Sequence, residues 1–265
     1  MNKITLSRLA HMKQKGEKIA SLTAYDASFA ALFDQQAVDM LLVGDSLGMV
    51  LQGKGSTVPV TVEDIVYHTR AVAAAKPNAL LMADMPFMSY ATEAEGLANA
   101  AQLMRAGAEI VKLEGGAWMC DLVRKMVRGG IPVCAHLGLM PQQVNLLSGY
   151  KVQGRNDAQA TSIIDEAVQL EHAGANMLLL ECVPSSLAQS VSQQVSIPVI
   201  GIGAGAYCDG QILVMHDMLG VTSGKRPKFV KDFMADSNGS IASAVAAYVS
   251  QVKNLQFPTA EHSFK

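Results

Sequence analysis

Eight short apolar runs, each ending in a polar or glycine-rich tip, constrain this chain more than any other feature. In order they close at Asp26, Ser46, Asp84, Glu114, His136, Glu181, Gly205 and Asp217. Aliphatic runs without alternation suit strands buried on both faces, as in a parallel sheet. Amphipathic segments long enough to be crossover helices lie between most of them. The pattern predicts an α/β chain folded as a (β/α)8 TIM barrel, in which catalytic groups sit at the C-terminal ends of the strands. Those ends carry Asp45, Asp84, Lys112, Glu114, His136 and Glu181.

The length of 265 residues matches a single barrel domain spanning 1–265 and leaves little for a second. Half the residues are hydrophobic and 17% are charged, enough for a large core and for surface buried between subunits. A net charge of −2 gives no electrostatic case for nucleic acid or an anionic membrane, and 5% aromatics are too few for base-stacking platforms. Cys120, Cys134, Cys182 and Cys208 show no CxxC spacing, so the expectation is reduced, buried thiols in a cytoplasmic protein. The first twenty residues lack the apolar core of a signal peptide, and no apolar segment approaches the ~18 residues of a membrane span.

Residues 5–15 read as a short leading helix that closes the bottom of the barrel, followed by a strand at 18–23 and a helix at 27–36. The glycine-rich segment 48–57 reads as a βα loop. Thr61 and Asp64, and again Thr92 and Glu95, are spaced as capping boxes, and Gly107 is placed for a left-handed C-cap. Residues 105–114 align without gaps on 172–181, each glycine standing seven residues before a terminal glutamate. This weak echo of a helix–glycine–strand–carboxylate module is what repeated barrel units would leave. The longest irregular stretch, 137–160, reads as a lid above the barrel mouth. A last helix falls near 240–253, and the tail after Asn254 shows no pattern and reads as loose.

Parity sharpens the site. Lys112 and Glu114 are two apart and share a face, as do Leu80, Met82 and Asp84, and Cys134 and His136. Pointing inward, these tips bring several carboxylates together with one lysine and one histidine in an apolar mouth. Such a charge cluster needs a cation or protons to compensate it. Asp45, Asp84 and Glu114 come from three successive strand ends, and their all-oxygen character argues for Mg²⁺ and against zinc. Mg²⁺ typically takes one or two carboxylates and leaves the rest to water and substrate, so one of the three can act through water.

Lys112 is the only lysine in the interior of a predicted strand. It can neutralise Glu114, bind a substrate carboxylate or form a Schiff base, with anion binding the better fit beside a metal. His136 can hydrogen-bond substrate, act as an acid or be a satisfied core histidine. Glu181 ends the sixth strand and faces the proposed metal across the mouth. There, partial desolvation raises a carboxylate pKa and suits a general base. Metal plus base is the equipment for removing a proton beside a carbonyl. Nothing groups His216 and Asp217 with a partner. The run Gly201-Ile-Gly-Ala-Gly205 lacks dinucleotide spacing and reads as backbone packed closely over substrate or cofactor.

With these residues assembled, the chain resembles the ketopantoate hydroxymethyltransferases over nearly its whole length. The resemblance is carried by LTAYDASFA, VGDSLGMVLQG, ADMPFMSY, AGAEIVKLEGG, PVCAHLGLMPQ, LLLECVP and IPVIGIGAG. It implies a Mg²⁺-dependent enzyme of pantothenate biosynthesis. The implied reaction transfers a hydroxymethyl group from 5,10-methylenetetrahydrofolate to 3-methyl-2-oxobutanoate, giving 2-dehydropantoate. By motif, Asp45 and Asp84 hold the metal with Glu114 in the same sphere, Ser46 and Lys112 bind the oxo acid, and Glu181 is the base. The resemblance also implies a homo-oligomer, typically a decamer.

The rival enzyme reading is a Mg²⁺ carboxylate barrel of the phosphoenolpyruvate mutase and isocitrate lyase type, which cleaves C–C or P–C bonds of oxo acids. Its usual lid with a reactive cysteine has no counterpart in the sequence. A catalytically silent binding barrel would have no need of the carboxylate tips.

Overall fold

In the computed structural model, which describes residues 2–222, 224, 226–235 and 237–265, eight parallel strands close into a barrel in sequence order. They are β1 (Ile19–Thr23), β2 (Met40–Val43), β3 (Leu80–Asp84), β4 (Ile110–Glu114), β5 (Val133–Gly138), β6 (Met177–Glu181), β7 (Val199–Ile202) and β8 (Gly210–Leu213). The helices are α1 (Leu6–Lys15), α2 (Ala27–Gln35), α3 (Leu47–Val50), α4 (Val62–Ala74), α5 (Glu93–Ala106), α6 (Cys120–Arg128), α7 (Val144–Leu147), α8 (Asp157–His172), α9 (Ser185–Gln194), α10 (Met215–Met218) and α11 (Ile241–Lys253). The (β/α)8 expectation holds.

Two apolar populations explain the closure. Ala20, Leu22, Leu41, Val43, Leu81, Ala83, Val111, Leu113, Ala135 and Leu137 point outward against the helices. The alternate residues Ile19, Met40, Leu42, Leu80, Met82, Ile110, Cys134, Met177, Leu179, Ile200 and Ile212 fill the interior. Because both faces are covered, the strands read as unbroken apolar runs. Leu9 and Met12 of α1 pack on the interior set from below, so the leading helix does close the bottom. Burying each such side chain is worth about 1.5–3 kcal/mol.

Local signals hold as well. The Thr61–Asp64 and Thr92–Glu95 capping boxes form with both reciprocal bonds, and α5 ends on Gly107 at φ 116°. The echo is structural too: Gly174 takes φ 106°, and β4 and β6 both end on their glutamates. All four cysteines are free, and Cys134, Cys182 and Cys208 are buried.

Three expectations are corrected, and one link that the sequence left open is found without a helix. The last apolar run does not stay extended to Asp217: β8 stops at Leu213, and His216 and Asp217 lie on α10. Residues 203–209 link β7 to β8 without a helix, tied back by the Asp209 carboxylate accepting from Val199 N at 2.9 Å. The 48–57 loop begins inside α3. The tail is not loose: Phe257 is 3% exposed, its ring 5.4 Å from Phe233, and Ser185 N donates to Phe264 O at 3.0 Å.

Candidate active site

The barrel interior changes character at its C-terminal end. In register, Asp84 stands beside Lys112, Glu114 beside His136, and Gly138 beside Glu181. Asp45, Asp84, Lys112, Glu114 and His136 are each no more than 4% exposed. Parity therefore places the predicted side chains together in one layer, with Asp45 joining from the turn after β2.

Lys112 Nζ donates to Asp84 Oδ1 at 2.7 Å and lies 3.5 Å from Glu114 Oε1. Asp84 Oδ2 accepts from Asp45 N at 3.1 Å, which fixes the turn after β2 to the tip of β3. His136 bridges the two halves of the mouth, Nδ1 at 3.3 Å from Glu114 Oε1 and Nε2 at 3.4 Å from Glu181 Oε2. Neither nitrogen, nor Glu114 Oε1, has an aligned hydrogen bond. The Glu181 side chain is 15% exposed, at the rim. Ser46, half-buried before α3, shares a hydrogen bond of 2.9 Å with the Tyr25 hydroxyl.

Four carboxylates thus face one lysine. Burial pushes Asp45, Asp84, Glu114 and Glu181 all above the usual carboxylate range, only partly offset by Lys112 or, at Glu181, by His136. Burial alone would lower Lys112, but Asp84, Glu114 and Asp45 outweigh it and hold the ammonium well above its ordinary value. Burial depresses His136, which stays neutral near pH 7. A firmly protonated lysine is an anion ligand rather than an imine-forming nucleophile.

The donor set suits a hard cation. The carboxylate oxygens of Asp45, Asp84 and Glu114, whose Oε1 lacks an aligned hydrogen bond, are hard oxygen donors with excess negative charge. Among the described residues, no three His, Cys, Asp or Glu side chains are grouped so that they could hold a metal ion by themselves. An ion that takes one or two carboxylates directly and completes its shell with water and substrate fits this arrangement better than zinc.

A sequence model of the family described as ketopantoate hydroxymethyltransferase matches residues 3–260. The chain belongs to the ketopantoate hydroxymethyltransferase family. It is a transferase enzyme, as its relatives' names state. It is 56% identical over 265 residues, the whole of both chains, to the 3-methyl-2-oxobutanoate hydroxymethyltransferase of Yersinia pseudotuberculosis serotype IB (strain PB1/+). It is 57% identical, again over the whole of both chains, to that of Yersinia enterocolitica serotype O:8 / biotype 1B (strain NCTC 13174 / 8081).

Solved structures show the same fold at low identity. Phosphonopyruvate hydrolase in complex with oxalate and Mg++ superposes with a TM-score of 0.62 at 13% identity, over 81% of this chain and 81% of that one. A 2,3-dimethylmalate lyase, a PEP mutase/isocitrate lyase superfamily member, gives 0.59 at 16% identity over 83% and 84%. The fold of the rival lyases is therefore shared, while whole-chain identity sides with the ketopantoate hydroxymethyltransferases.

Three residues of the mouth escaped sequence reasoning. Tyr25 is buried and holds Ser46; Tyr90 and Gln142 are buried between the tips of β2, β3 and β4. Only their place inside motifs could have drawn attention to them. His216 remains outside the charged layer, its ring 5.7 Å from that of Tyr25, and Asp217 accepts from Thr222 Oγ1 at 2.6 Å. The 201–205 glycines pack on the protein itself, because a Cβ at Gly205 would meet Ser185 Oγ at 2.0 Å and one at Gly203 would meet Phe229 at 2.9 Å. That corrects the expectation that they lie over a ligand.

Proposed function

We propose that this ketopantoate hydroxymethyltransferase family member transfers a hydroxymethyl group from 5,10-methylenetetrahydrofolate to 3-methyl-2-oxobutanoate, giving 2-dehydropantoate. The observation that carries the reading is a rim carboxylate of raised pKa, Glu181, across the mouth from the Asp45–Asp84–Lys112–Glu114 cluster, in a chain whose full-length relatives carry that substrate's name.

Each residue has a task in this reading. Lys112 and Ser46 bind the oxo-acid carboxylate, and Tyr25 orients the Ser46 hydroxyl. Asp45 and Asp84 would hold Mg²⁺, with Glu114 reaching it through water. The ion would supply Lewis-acid polarisation of the keto oxygen, worth several kcal/mol. Glu181 removes the C3 proton, a step worth roughly 10²–10⁴-fold for a placed base. The C3 electron pair forms the new C–C bond to the folate methylene carbon as one of that carbon's two C–N bonds breaks. Water oxygen then bonds to the same carbon as the second C–N bond breaks, and the two folate nitrogens take up the proton from C3 and one from water. His136, neutral and 3.4 Å from Glu181, steadies the base in both protonation states. The turn Pro141–Gln143 lies against the mouth through the bonds of Gln142 to Asp45 and Glu114.

A cytoplasmic location belongs to the same reading, supported by the four free thiols. So does a homo-oligomer, which would cover exposed Tyr67, Trp118 and Leu146. No helix among the described residues is long and apolar enough to cross a membrane.

The test is a mass-spectrometric assay for 2-dehydropantoate with both substrates and Mg²⁺, with and without chelator. Product that vanishes with EDTA and returns with Mg²⁺ supports reaction and metal together. Absence of product from folded, metal-supplied protein, with pyruvate released from a 2-methylmalate-type acid, would favour the lyase reading suggested by the fold neighbours.

A further inference from the structure

Gln142 is 4% exposed, on the single turn Pro141–Gln143 that follows β5. Every polar atom of its side chain is engaged. Nε2 donates to Asp45 Oδ2 at 3.0 Å and to Met85 O at 2.9 Å, and Oε1 accepts from the Tyr90 hydroxyl at 2.6 Å. Its backbone N donates to Glu114 Oε2 at 3.1 Å. Gln142 is thus bonded to two carboxylates, one in the turn after β2 and one at the tip of β4, and to the backbone just after β3.

We propose that Gln142 is a positioning residue which sets the carboxylate oxygens that Asp45 and Glu114 present to a bound divalent cation, so that the segment after β5 completes the ion's site by folding over it. The proposal rests on the Mg²⁺ reading above. Gln142 occupies Oδ2 of Asp45 and Oε2 of Glu114, which turns Oδ1 and Oε1 away from it. Glu114 Oε1, 3.5 Å from Lys112 Nζ and 3.3 Å from His136 Nδ1, is left without an aligned hydrogen bond. At Asp84 both oxygens are engaged, Oδ1 by Lys112 Nζ and Oδ2 by the Asp45 backbone N–H, which fixes the orientation of that carboxylate.

The chemistry of the position calls for a primary amide. Two N–H donors and one carbonyl acceptor meet two acceptors and one donor. A methionine has similar length and no donor; a glutamate would set a fifth carboxylate against Asp45. Tyr90 fixes which way the amide faces, and its own hydroxyl accepts from Glu114 N at 3.3 Å, which ties the amide to the strand that carries the ligand. Groups that orient ligands in this way commonly govern metal affinity by 10–100-fold.

The experiment is calorimetric titration of Mg²⁺ into chelator-treated wild-type protein, Gln142→Met and Tyr90→Phe, beside the thermal midpoint of each in EDTA. We expect Gln142→Met to bind Mg²⁺ about 10–100-fold more weakly, with a smaller loss in Tyr90→Phe and folded protein in both. A purely structural role would shift the midpoint in EDTA and leave Mg²⁺ affinity alone. If Gln142→Met does not fold, the Tyr90→Phe titration decides. Wild-type affinity in the folded variants overturns the positioning role while the metal reading stands. No Mg²⁺ binding by wild-type protein overturns the metal reading and this proposal together.

Discussion

At the bottom of the barrel the interior residues are Ile19, Met40, Leu80, Ile110, Cys134, Met177 and Ile200, sealed by Leu9 and Met12. Two to four residues further along the same strands stand Asp84, Lys112, Glu114, His136 and Glu181. The same backbone, with the same alternation, holds both sets. The lower set gains stability from every methylene removed from water. The upper set is buried almost as deeply, yet its charges oppose one another and their own desolvation. The difference teaches where the molecule concentrates its unfavourable electrostatics: one layer, at the C-terminal ends of the strands.

Breaking the upper layer should have the largest effect. Lys112→Met leaves Asp84 and Glu114 buried without their cation, and removing one partner of such a buried pair costs about 3–5 kcal/mol. Chemical denaturation should show that loss together with abolished oxo-acid binding in calorimetry. A fully stable variant would mean that protons, not Lys112, neutralise the layer. At the bottom, Leu9→Ala should cost about 2–5 kcal/mol through lost burial and a cavity. Its kcat at a temperature where it is folded should stay at the wild-type value. A large loss of kcat there would show that the two ends are coupled.

The pH response separates the ends further. Glu181 has a folded pKa raised above its ordinary 4.5. Between those two values the folded protein holds more protons than the unfolded one. The stability linked to Glu181 is therefore full below 4.5 and falls as pH rises through the folded value. Base-dependent activity should run the other way, rising across the same window. Denaturation midpoints and rates measured side by side check this; parallel trends would remove Glu181 as the titrating base. The smallest effect is a gain: Glu181→Gln, in chelator, should stabilise the protein by ~1 kcal/mol, as activity-costly sites often allow. A destabilised variant would show that the carboxylate earns net favourable bonds in the fold.

The lower layer and the strand tips were legible because buried parallel strands write themselves as apolar runs, and period two assigns faces. Lys112, Glu114 and His136 follow from that period alone. Gln142 was not legible. A glutamine in a loop carries no periodicity, and its importance arises only when the tips of three other strands meet it. The end of β8 was obscured because Ile212-Leu213-Val214-Met215 stays apolar while the backbone turns into α10. The order of the tail is not legible in sequence for a related reason: Phe257 packs on Phe233, 24 residues earlier, and on Tyr248 of α11.

The central claim, that the charged layer exists to remove a proton next to a carbonyl with Glu181 as base, is tested most directly by NMR. The measurement is deuterium exchange at C3 of 3-methyl-2-oxobutanoate in deuterated water, with Mg²⁺ and without folate. The account predicts exchange in the wild-type protein and a roughly 10²–10⁴-fold slower rate in Glu181→Gln, with oxo-acid binding kept. Exchange at the wild-type rate in that variant would contradict it.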